Sequence, residues 1–382
     1  MAEDANPSVA DRQARGSDAR IATAPKAHAG WTPAIDRPDP VTLLEEQNAT
    51  REPDLVPVRH GRMMISPFTF YRGAAKIMAT DLAPTPTAGL ITQLCGDAHL
   101  SNFGVFASPE RDLVFDLNDF DETLPGPFEY DVKRMAASFT IAAQNNGLTK
   151  AESVSVTQAS VRAYRQAMAQ FAQMGTLELW YTRKSASELQ AALGELAAEA
   201  AGAKGPQAGQ RAKVGKKPGK KAGKKAARSD QGRDKPTPGG VAWAAKQADK
   251  NLRKARTRDS LHALSKLGEL VDGKYRIVSQ PPIVVPLRDL HKRFGMDEAD
   301  VAEAVRGQFR DYRAALPDDR RHLLERFEMV DMARKVVGVG SVGTRCWILL
   351  MQGIDGTDPL FLQAKEAGPS VIAVSKSSPV PR

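Results

Sequence analysis

The amino-acid sequence predicts an α+β fold in which short strands flank a mainly helical middle region. Three observations support this prediction. The stretches "GLITQL" and "DLVFDL" are short apolar runs that pass into polar residues, and "RKVVGVGSVGTRCWILL" combines glycines with β-branched residues. The chain between them repeats apolar residues at helical spacing, as in "DVKRMAASFTIAAQNNG". A length of 382 residues suits two compact units, or one large domain with insertions.

The composition points to a cytoplasmic protein without a membrane partner. Cys95 and Cys346 lie far apart and form no metal-type or redox-type pair, which fits a reducing compartment. The N-terminus begins with acidic residues and carries no apolar run, unlike a secretory signal. No stretch approaches the roughly 20 apolar residues that a membrane span needs.

The positive charge of the chain is concentrated in one segment. Residues 204–235 contain twelve Lys or Arg and two Asp, a net charge of +10 within a chain total of +9, so the rest of the chain carries −1. The repeated "GKK" and "KKA" units resemble basic tails that bind phosphate backbones without reading sequence. No aromatic residue is interleaved, so we expect at most weak, non-specific nucleic-acid contact as an accessory property.

Composition and periodicity divide the chain into six parts. We predict a disordered arm (1–38), a catalytic-loop region with helices (39–200), a basic low-complexity insertion (201–240), a helical region (241–330), a glycine-rich hairpin or meander (331–367) and an irregular tail (368–382).

The stretch "GDAHLSNFG" carries the first group of chemically active residues. Asp97 and Asn102 are five residues apart, the spacing at which the protein-kinase loop H-R-D-x-x-x-x-N places the Asp that orients or deprotonates the acceptor hydroxyl and the Asn that holds magnesium. Asp and Asn are also common turn formers, so a purely structural role stays open.

A second acidic group follows in "VFDLNDFDE". Asp116 comes directly after Val114 and Phe115, and Asp119 and Asp121 crowd further negative charge into the same region. A bound magnesium ion would relieve that repulsion. We therefore predict a metal site formed by Asn102, Asp116 and Asp119.

The stretch "GVGSVG" supplies Gly338, Gly340 and Gly343 as a G-x-G-x-x-G motif. A dinucleotide-binding turn would be followed by a helix and an acidic residue about 20 residues further on. Here "TRCWILL" is strand-like, and Lys365 stands 22 residues after Gly343. This order is typical of the kinase phosphate-binding hairpin, with Lys365 as the phosphate-neutralising residue, although an ordinary solvent-facing lysine is an equal alternative.

These motifs carry a family resemblance. The stretches "SPFTFYRGAA", "CGDAHLSNFGVF", "FDLNDFDETLPGPFEYDVKRMAAS" and "KVVGVGSVGTRCW" resemble the uncharacterised bacterial family called domain of unknown function 2252, over roughly residues 28–371. "CGDAHLSN", "VFD" and "GPFEYD" are also similar to the H-G-D-x-H-x-x-N, V-I-D and G-D-P-x-Y-D motifs of aminoglycoside and choline phosphotransferases, which have the protein-kinase-like fold.

The resemblance implies a role for each matching residue. It makes Asp97 the catalytic base, Asn102 and Asp116 metal ligands, and Asp131 a helix-start or loop-bracing carboxylate. We assign His99 to the catalytic site as a residue that shapes the loop, and Cys95 stands where the phosphotransferases have a leading His. A zinc role for His99 lacks further ligands at suitable spacing.

The order of the motifs departs from that of ordinary kinases. The glycine motif and Lys365 follow Asp97 instead of preceding it, so either the kinase-like fold is circularly permuted, as we predict, or the glycine-rich hairpin is not the kinase one. The chain ends seventeen residues after Lys365, before a helix that could supply a pairing Glu, and we expect a truncated C-terminus. The predicted function is an ATP- and magnesium-dependent phosphotransferase of unknown small-molecule or protein acceptor, whose activity the truncation would put in doubt. The alternatives are a non-catalytic nucleotide-binding module and a nucleic-acid-associated protein that acts through its Lys-rich insertion.

Overall fold

The computed structural model describes residues 7–202, 246, 249–250, 252–253, 255, 260–294 and 297–374. The basic insertion lies outside the described residues except for positions 201 and 202, so nucleic-acid contact through residues 204–235 stays a prediction. Within the described ranges, no helix combines the length and apolar character needed to cross a membrane.

The described helices occupy most of the chain. They are α1 (Val9–Ala22), α2 (Pro40–Asn48), α3 (Val56–Met63), α4 (Pro67–Arg72), α5 (Ala75–Leu82), α6 (Glu129–Asn145), α7 (Lys150–Phe171), α8 (Thr176–Tyr181), α9 (Ala186–Gly202), α10 (Ser260–Leu267), α11 (Leu287–Phe294), α12 (Glu298–Ala315), α13 (Asp318–Leu324) and α14 (Val371–Val374).

The strands form small sheets. They are β1 (Ile91–Leu94), β2 (Phe103–Ala107), β3 (Leu113–Leu117), β4 (Leu124–Pro127), β5 (Gly268–Val271), β6 (Lys274–Ile277), β7 (Val284–Pro286), β8 (Glu328–Lys335), β9 (Cys346–Gln352) and β10 (Pro359–Lys365). The sheets contain β1 with β4, β2 with β3, β5 with β6, and four strands in the order β10-β9-β8-β7. The mixture of helices and small sheets confirms the predicted α+β class.

The chain divides into two compact units. The first comprises residues 1–103, 117–147 and 257–382, and the second comprises residues 104–116 and 148–256. The second unit contains most of the β2–β3 pair and helices α7 to α9. Helix α7 begins with a capping box, in which the Thr149 hydroxyl accepts a hydrogen bond from the Glu152 N–H and the Glu152 carboxylate accepts one from the Thr149 N–H.

The four-stranded sheet of the first unit is antiparallel. In its register Lys365 pairs with Cys346, the first residue of β9. The chain between β8 and β9 contains the glycine motif, so the register places Lys365 at the same end of the sheet as that motif. One face of the sheet packs against α11 and α12 through a core that includes Leu290, Val305 and Leu349.

Two expected regions differ in the structure. The sequence predicts a disordered arm over residues 1–38, but in its described part, residues 7–38, α1 is a helix that starts with a capping box between Ser8 and Asp11. Arg37 forms an ion pair with Asp81 at 2.6 Å. Local capping therefore gives a helix where composition alone indicated disorder.

The region predicted to be helical, 241–330, also contains strands. The β5–β6 hairpin turns through Asp272 and Gly273, which both adopt positive φ, and β7 adds an edge strand to the large sheet. These strands are only three or four residues long, too short to give a clear alternating pattern in the sequence.

Candidate active site

The loop at residues 95–102, named the catalytic loop after the kinase motif that it resembles, leaves β1 at a position that only glycine can occupy. Gly96 has a φ of +87°. A Cβ atom there would lie 1.9 Å from the carbonyl oxygen of Glu122. Gly96 therefore allows a sharp turn that packs directly on the backbone of residues 118–122. This segment follows β3 and is hereafter called the acidic segment.

One face of α6 supports this loop with polar side chains. Asp131 accepts hydrogen bonds from the backbone N–H groups of Cys95 at 2.8 Å and Gly96 at 3.1 Å. Ser138, fully buried, accepts one from the N–H of Leu100 at 3.0 Å. Asp131 thus braces the loop, as the resemblance implied. Burial raises the pKa of Asp131, and the two backbone N–H groups partly oppose that shift.

Asp97 is held by a buried arginine from the same helix face. Arg134 is 2% exposed, and its Nε and Nη2 atoms lie 2.7 Å and 2.5 Å from Oδ1 of Asp97. Its Nη2 atom also donates to the carbonyl of Tyr71 at 3.0 Å, and the guanidinium lies 4.2 Å from the Tyr71 ring centroid. These contacts fix the Asp97 carboxylate, because Arg134 itself has little freedom to move.

His99 and Asn102 complete the loop. His99 is buried, its backbone N–H donates to Asp97 and its carbonyl accepts from Asn102, so its backbone shapes the turn. Its Nε2 atom lies 3.6 Å from Oδ2 of Asp97, and burial lowers the pKa of the imidazole. The Asn102 amide donates to the carbonyls of Asp97 at 3.3 Å and Asp119 at 3.1 Å. Asn102 therefore ties the catalytic loop to the acidic segment.

Lys365 reaches the acidic segment across a large sequence distance. Its Nζ atom lies 3.2 Å from Oδ2 of Asp119 and 3.3 Å from Oδ2 of Asp121. Burial alone would lower the pKa of Lys365, but the two carboxylates outweigh it and the pKa is raised. The pKa of Asp121 is raised by its own burial and by Asp119, while Lys365 opposes this shift. The two carboxylates thus converge on a single cationic group.

The segment at residues 338–343, hereafter the glycine loop, is anchored by valines and by residues near α2 and α3. Val339 is buried with Leu44 and Met63, and Val342 is completely buried beside Leu55. Gly338 and Gly343 adopt φ values of +61° and +90°. These positive values explain two of the three glycines in the motif.

Three carbonyls of the glycine loop accept hydrogen bonds from this N-terminal region. Arg62 donates to Gly338 at 2.6 Å, Arg51 to Val342 at 2.5 Å and the N–H of Glu52 to Gly343 at 2.8 Å. The loop is thereby fixed in position through its carbonyl groups and its two valines.

The catalytic loop and the glycine loop line one cavity of about 520 Å³ in the first unit. Its walls include Arg51, Arg72, Asp97, Asn102, Asp119 and Gly340. This volume lies within the roughly 300–1,000 Å³ typical of small-molecule sites. Carboxylates and arginines both face the cavity, so it suits a ligand that carries negative charge alongside a cation.

The acidic residues provide a partial fit to a divalent metal ion. Among the described residues, no three His, Cys, Asp or Glu side chains lie close enough together to form a metal centre by themselves. Asp119 and Asp121 nevertheless converge on the Lys365 ammonium group, and a hard divalent cation uses the same kind of oxygen ligand. Asn102 adjoins Asp119 and adds an amide group. Such a site would need further oxygen atoms from a ligand or water.

The structure places most of the predicted site residues in or beside the cavity and one of them, Asp116, outside its lining. Asp97, His99, Asn102, Asp119, Gly338 and Gly340 line the cavity, and Lys365 contacts two of its carboxylates. Gly343 adjoins Arg51 at the loop end. Asp116 belongs to the second unit, where its side chain is exposed on β3, and Asp121 stands with Asp119 in the cavity wall instead.

Sequence reasoning missed Arg134, Ser138 and Arg51. Arg134 and Ser138 follow Asp131 at helical i+3 and i+7 spacing, a signal that lies beside the apolar stripe of the same helix. Arg51 carried no signal of its own, since it stands in an ordinary polar stretch. Its role depends on the contact with the glycine loop nearly 300 residues away.

The site thus combines a loop carrying Asp97 and Asn102, an acidic segment and a glycine loop around one cavity. The chain belongs to the family described as an uncharacterized protein conserved in bacteria, domain of unknown function 2252, whose model matches residues 51–244 and 241–381. No curated protein and no solved structure shows a significant match to the chain.

Proposed function

We propose that the chain is an ATP- and magnesium-dependent phosphotransferase whose reaction takes place in this cavity. The supporting observation is that the glycine loop and the catalytic loop line the same cavity, although Gly338 follows Asn102 by more than 230 residues. Protein kinases use the same two kinds of loop in the opposite chain order. A permuted kinase-like fold would account for both the order and the meeting of the loops.

In this proposal Asp97 receives the proton of the acceptor hydroxyl. Arg134 engages Oδ1, which leaves Oδ2 to accept a hydrogen bond from the acceptor. The acceptor oxygen then bonds to the terminal phosphorus of ATP, the bond from that phosphorus to the bridging oxygen breaks, and ADP leaves. Arg134 acts as a positioning residue, because it holds the carboxylate in one orientation before the acceptor arrives.

The acidic segment would hold the magnesium ion. Asp119 and Asp121, with Asn102 beside them, are the residues suited to it, and the ion would neutralise negative charge on the phosphates. Lys365 occupies these carboxylates in the structure, so it would move towards the phosphates when the metal binds.

One observation favours a non-catalytic nucleotide-binding module as a second function. Asp97 is held in a charge pair by a buried arginine, a contact that equally suits a carboxylate with a purely structural role. A protein of this kind would bind ATP through the glycine loop and transfer no phosphate.

The test of the first function is Mg·ATP binding by calorimetry together with ATP hydrolysis by the full-length chain. We expect Asp97→Asn to retain binding and to lower phosphate release about 10²- to 10⁴-fold, the usual contribution of a general base. Asp112→Asn is the matched control, because Asp112 is exposed in the second unit.

Three outcomes would decide between the two functions. Phosphate release by Asp97→Asn at the wild-type rate would exclude Asp97 as the base. Binding without phosphate release, for every acceptor tried, would favour the non-catalytic module. No binding by a folded protein would exclude both.

A further inference from the structure

We propose that Arg51 and Arg72 form an anion-binding pair that holds the terminal phosphate groups of the nucleotide. This inference rests on the proposed function and adds to it, because the kinase-like arrangement assigns phosphate binding to the glycine loop and Lys365. Three features of the cavity support the pair: both arginines line it, the nearby acids are engaged by other groups, and both arginines contact the glycine loop.

Arg72 is the last residue of α4 and lines the cavity. Its Nε atom is buried and has no hydrogen-bond partner. Its guanidinium forms no hydrogen bond and no ion pair with any residue that the structure describes, although it lies within electrostatic range of Asp97. Arg72 therefore lines the cavity with several N–H donors unused.

Arg51 lies in the same cavity wall and is only partly engaged. Its Nη1 atom donates to the Val342 carbonyl, while its Nε atom is buried and has no partner. Burial lowers the pKa of Arg51 and of Arg72, because neither charge is fully compensated by a neighbouring anion. Both remain cationic at neutral pH, and each gains from an anion that enters the cavity.

The carboxylates around the cavity already have other partners. Arg134 pairs with Asp97, and Lys365 pairs with Asp119 and Asp121. Lys76 pairs with Glu46 at 2.5 Å, Arg345 pairs with Glu366 at 2.6 Å, and the Val371 N–H donates to Glu122 at 2.6 Å. A structural ion pair is therefore a weaker explanation for the two arginines than an absent anionic ligand.

Both arginines are also in contact with the glycine loop. A Cβ atom on Gly340 would lie 3.0 Å from the Arg72 carbonyl oxygen, and one on Gly343 would lie 3.0 Å from the Arg51 Cβ atom. The glycine loop thus touches the Arg72 backbone and the Arg51 side chain, and both arginines line the same cavity as Gly338 and Gly340, where a ligand held against the loop would lie. Guanidinium groups bind phosphate oxygens in a bidentate manner, which points to a phosphate rather than to a single carboxylate.

The experiment measures binding of Mg·ATP, inorganic tripolyphosphate and adenosine by calorimetry on the full-length chain. We expect Arg72→Met to weaken binding of ATP and tripolyphosphate at least about tenfold, because hydrogen bonds to charged groups are lost. Adenosine, which has no phosphate, should bind the variant and the wild type equally. Arg72→Lys should bind ATP and tripolyphosphate with an affinity between those of the wild type and Arg72→Met, since lysine keeps the charge and loses the planar fork of the guanidinium.

Arg310→Met is the control for a change in net charge, because Arg310 is exposed on α12 and pairs only with Glu303 among the described residues. It should bind all three ligands as the wild type does. Thermal unfolding identifies any variant that has lost its fold, and Arg72→Lys tests the same guanidinium with the smallest structural change.

The outcomes separate this inference from the proposed function. Wild-type affinity of folded Arg72→Met and Arg72→Lys for ATP would overturn the arginine pair and leave the nucleotide site intact. Arg72-dependent binding of tripolyphosphate, without any binding of ATP, would support the pair and overturn the nucleotide-dependent function. A folded wild-type protein that binds neither phosphate compound would overturn both.

Discussion

The catalytic loop and the glycine loop line one cavity, but they are anchored in different ways. The catalytic loop is braced by the polar face of α6, where Asp131 and Ser138 accept hydrogen bonds from its backbone and Arg134 holds Asp97. The glycine loop is anchored by the buried side chains of Val339 and Val342, and through its own carbonyl groups.

The two kinds of anchor constrain the loops differently. Hydrogen bonds are directional, so the anchors on α6 fix both the path of the catalytic loop and the orientation of the Asp97 side chain. Burial of apolar groups is not directional, so the two valines hold the glycine loop in place without orienting it, and hydrogen bonds to three of its carbonyl groups add the direction. We infer that the catalytic loop is anchored mainly by polar contacts that orient a side chain, and the glycine loop by apolar and polar contacts together.

The largest effect should come from filling the space at Gly96. A Cβ atom there would meet the Glu122 carbonyl at 1.9 Å, and φ is positive, so Gly96→Ala must displace backbone. We expect a loss of about 3 kcal/mol or more in the free energy of unfolding, measured by urea denaturation. Gly89→Ala is the matched control, because Gly89 has a φ of +73° and nothing within 4 Å of the added atom.

Gly89→Ala should cost only about 1 kcal/mol, the penalty of a positive φ for alanine. An equal loss in the free energy of unfolding for the two substitutions would show that the catalytic loop can shift to make room for a Cβ atom. Its backbone would then not be rigidly anchored, in contrast to what its hydrogen bonds indicate.

A smaller but substantial effect is expected at the brace on α6. Asp131→Ala leaves the N–H groups of Cys95 and Gly96 without their acceptor and should cost about 2 to 4 kcal/mol in the free energy of unfolding. Asp131→Asn should cost less, because its amide oxygen can still accept one of the two bonds. Asp112→Ala removes an exposed aspartate that pairs with Arg183 at 3.2 Å, and should change the free energy by less than about 0.5 kcal/mol.

A cost for Asp131→Ala no larger than that of Asp112→Ala would contradict the role of α6 as a polar brace. Urea denaturation at neutral pH measures all three variants, and circular dichroism checks that each is folded before denaturant is added.

The two loops also differ in how far the sequence predicts them. The mixed α+β class, the strand before Gly96 and the antiparallel meander around the glycine motif follow from local patterns, since turn residues and β-branched runs act over a few residues. The start of α2 has a local signal of the same kind, an Asp followed by a Pro, and the Asp39 carboxylate accepts a hydrogen bond from the Thr42 N–H at 2.9 Å.

Contacts between distant segments could not be predicted in this way. Lys365 contacts Asp119 and Asp121 some 245 residues away, and Arg51 contacts Val342 over a separation of 291 residues. No local periodicity encodes such pairs, and the single sequence supplies no co-variation between them. The short spacing between Asp116 and Asp119 suggested one shared metal site. The boundary between the two units, which falls directly after Asp116, has no local signal in the sequence.

The smallest effects should be found at the glycine loop. Val342 is fully buried, so Val342→Ala removes apolar contacts and should lower the free energy of unfolding by about 1.5 to 3 kcal/mol. Arg62→Ala removes a partly exposed donor to the Gly338 carbonyl and should change it by less than about 0.5 kcal/mol. Urea denaturation of both variants tests whether apolar burial or hydrogen bonding anchors this loop. A larger cost for Arg62→Ala than for Val342→Ala would reverse that assignment and make the glycine loop a polar-anchored loop like its counterpart.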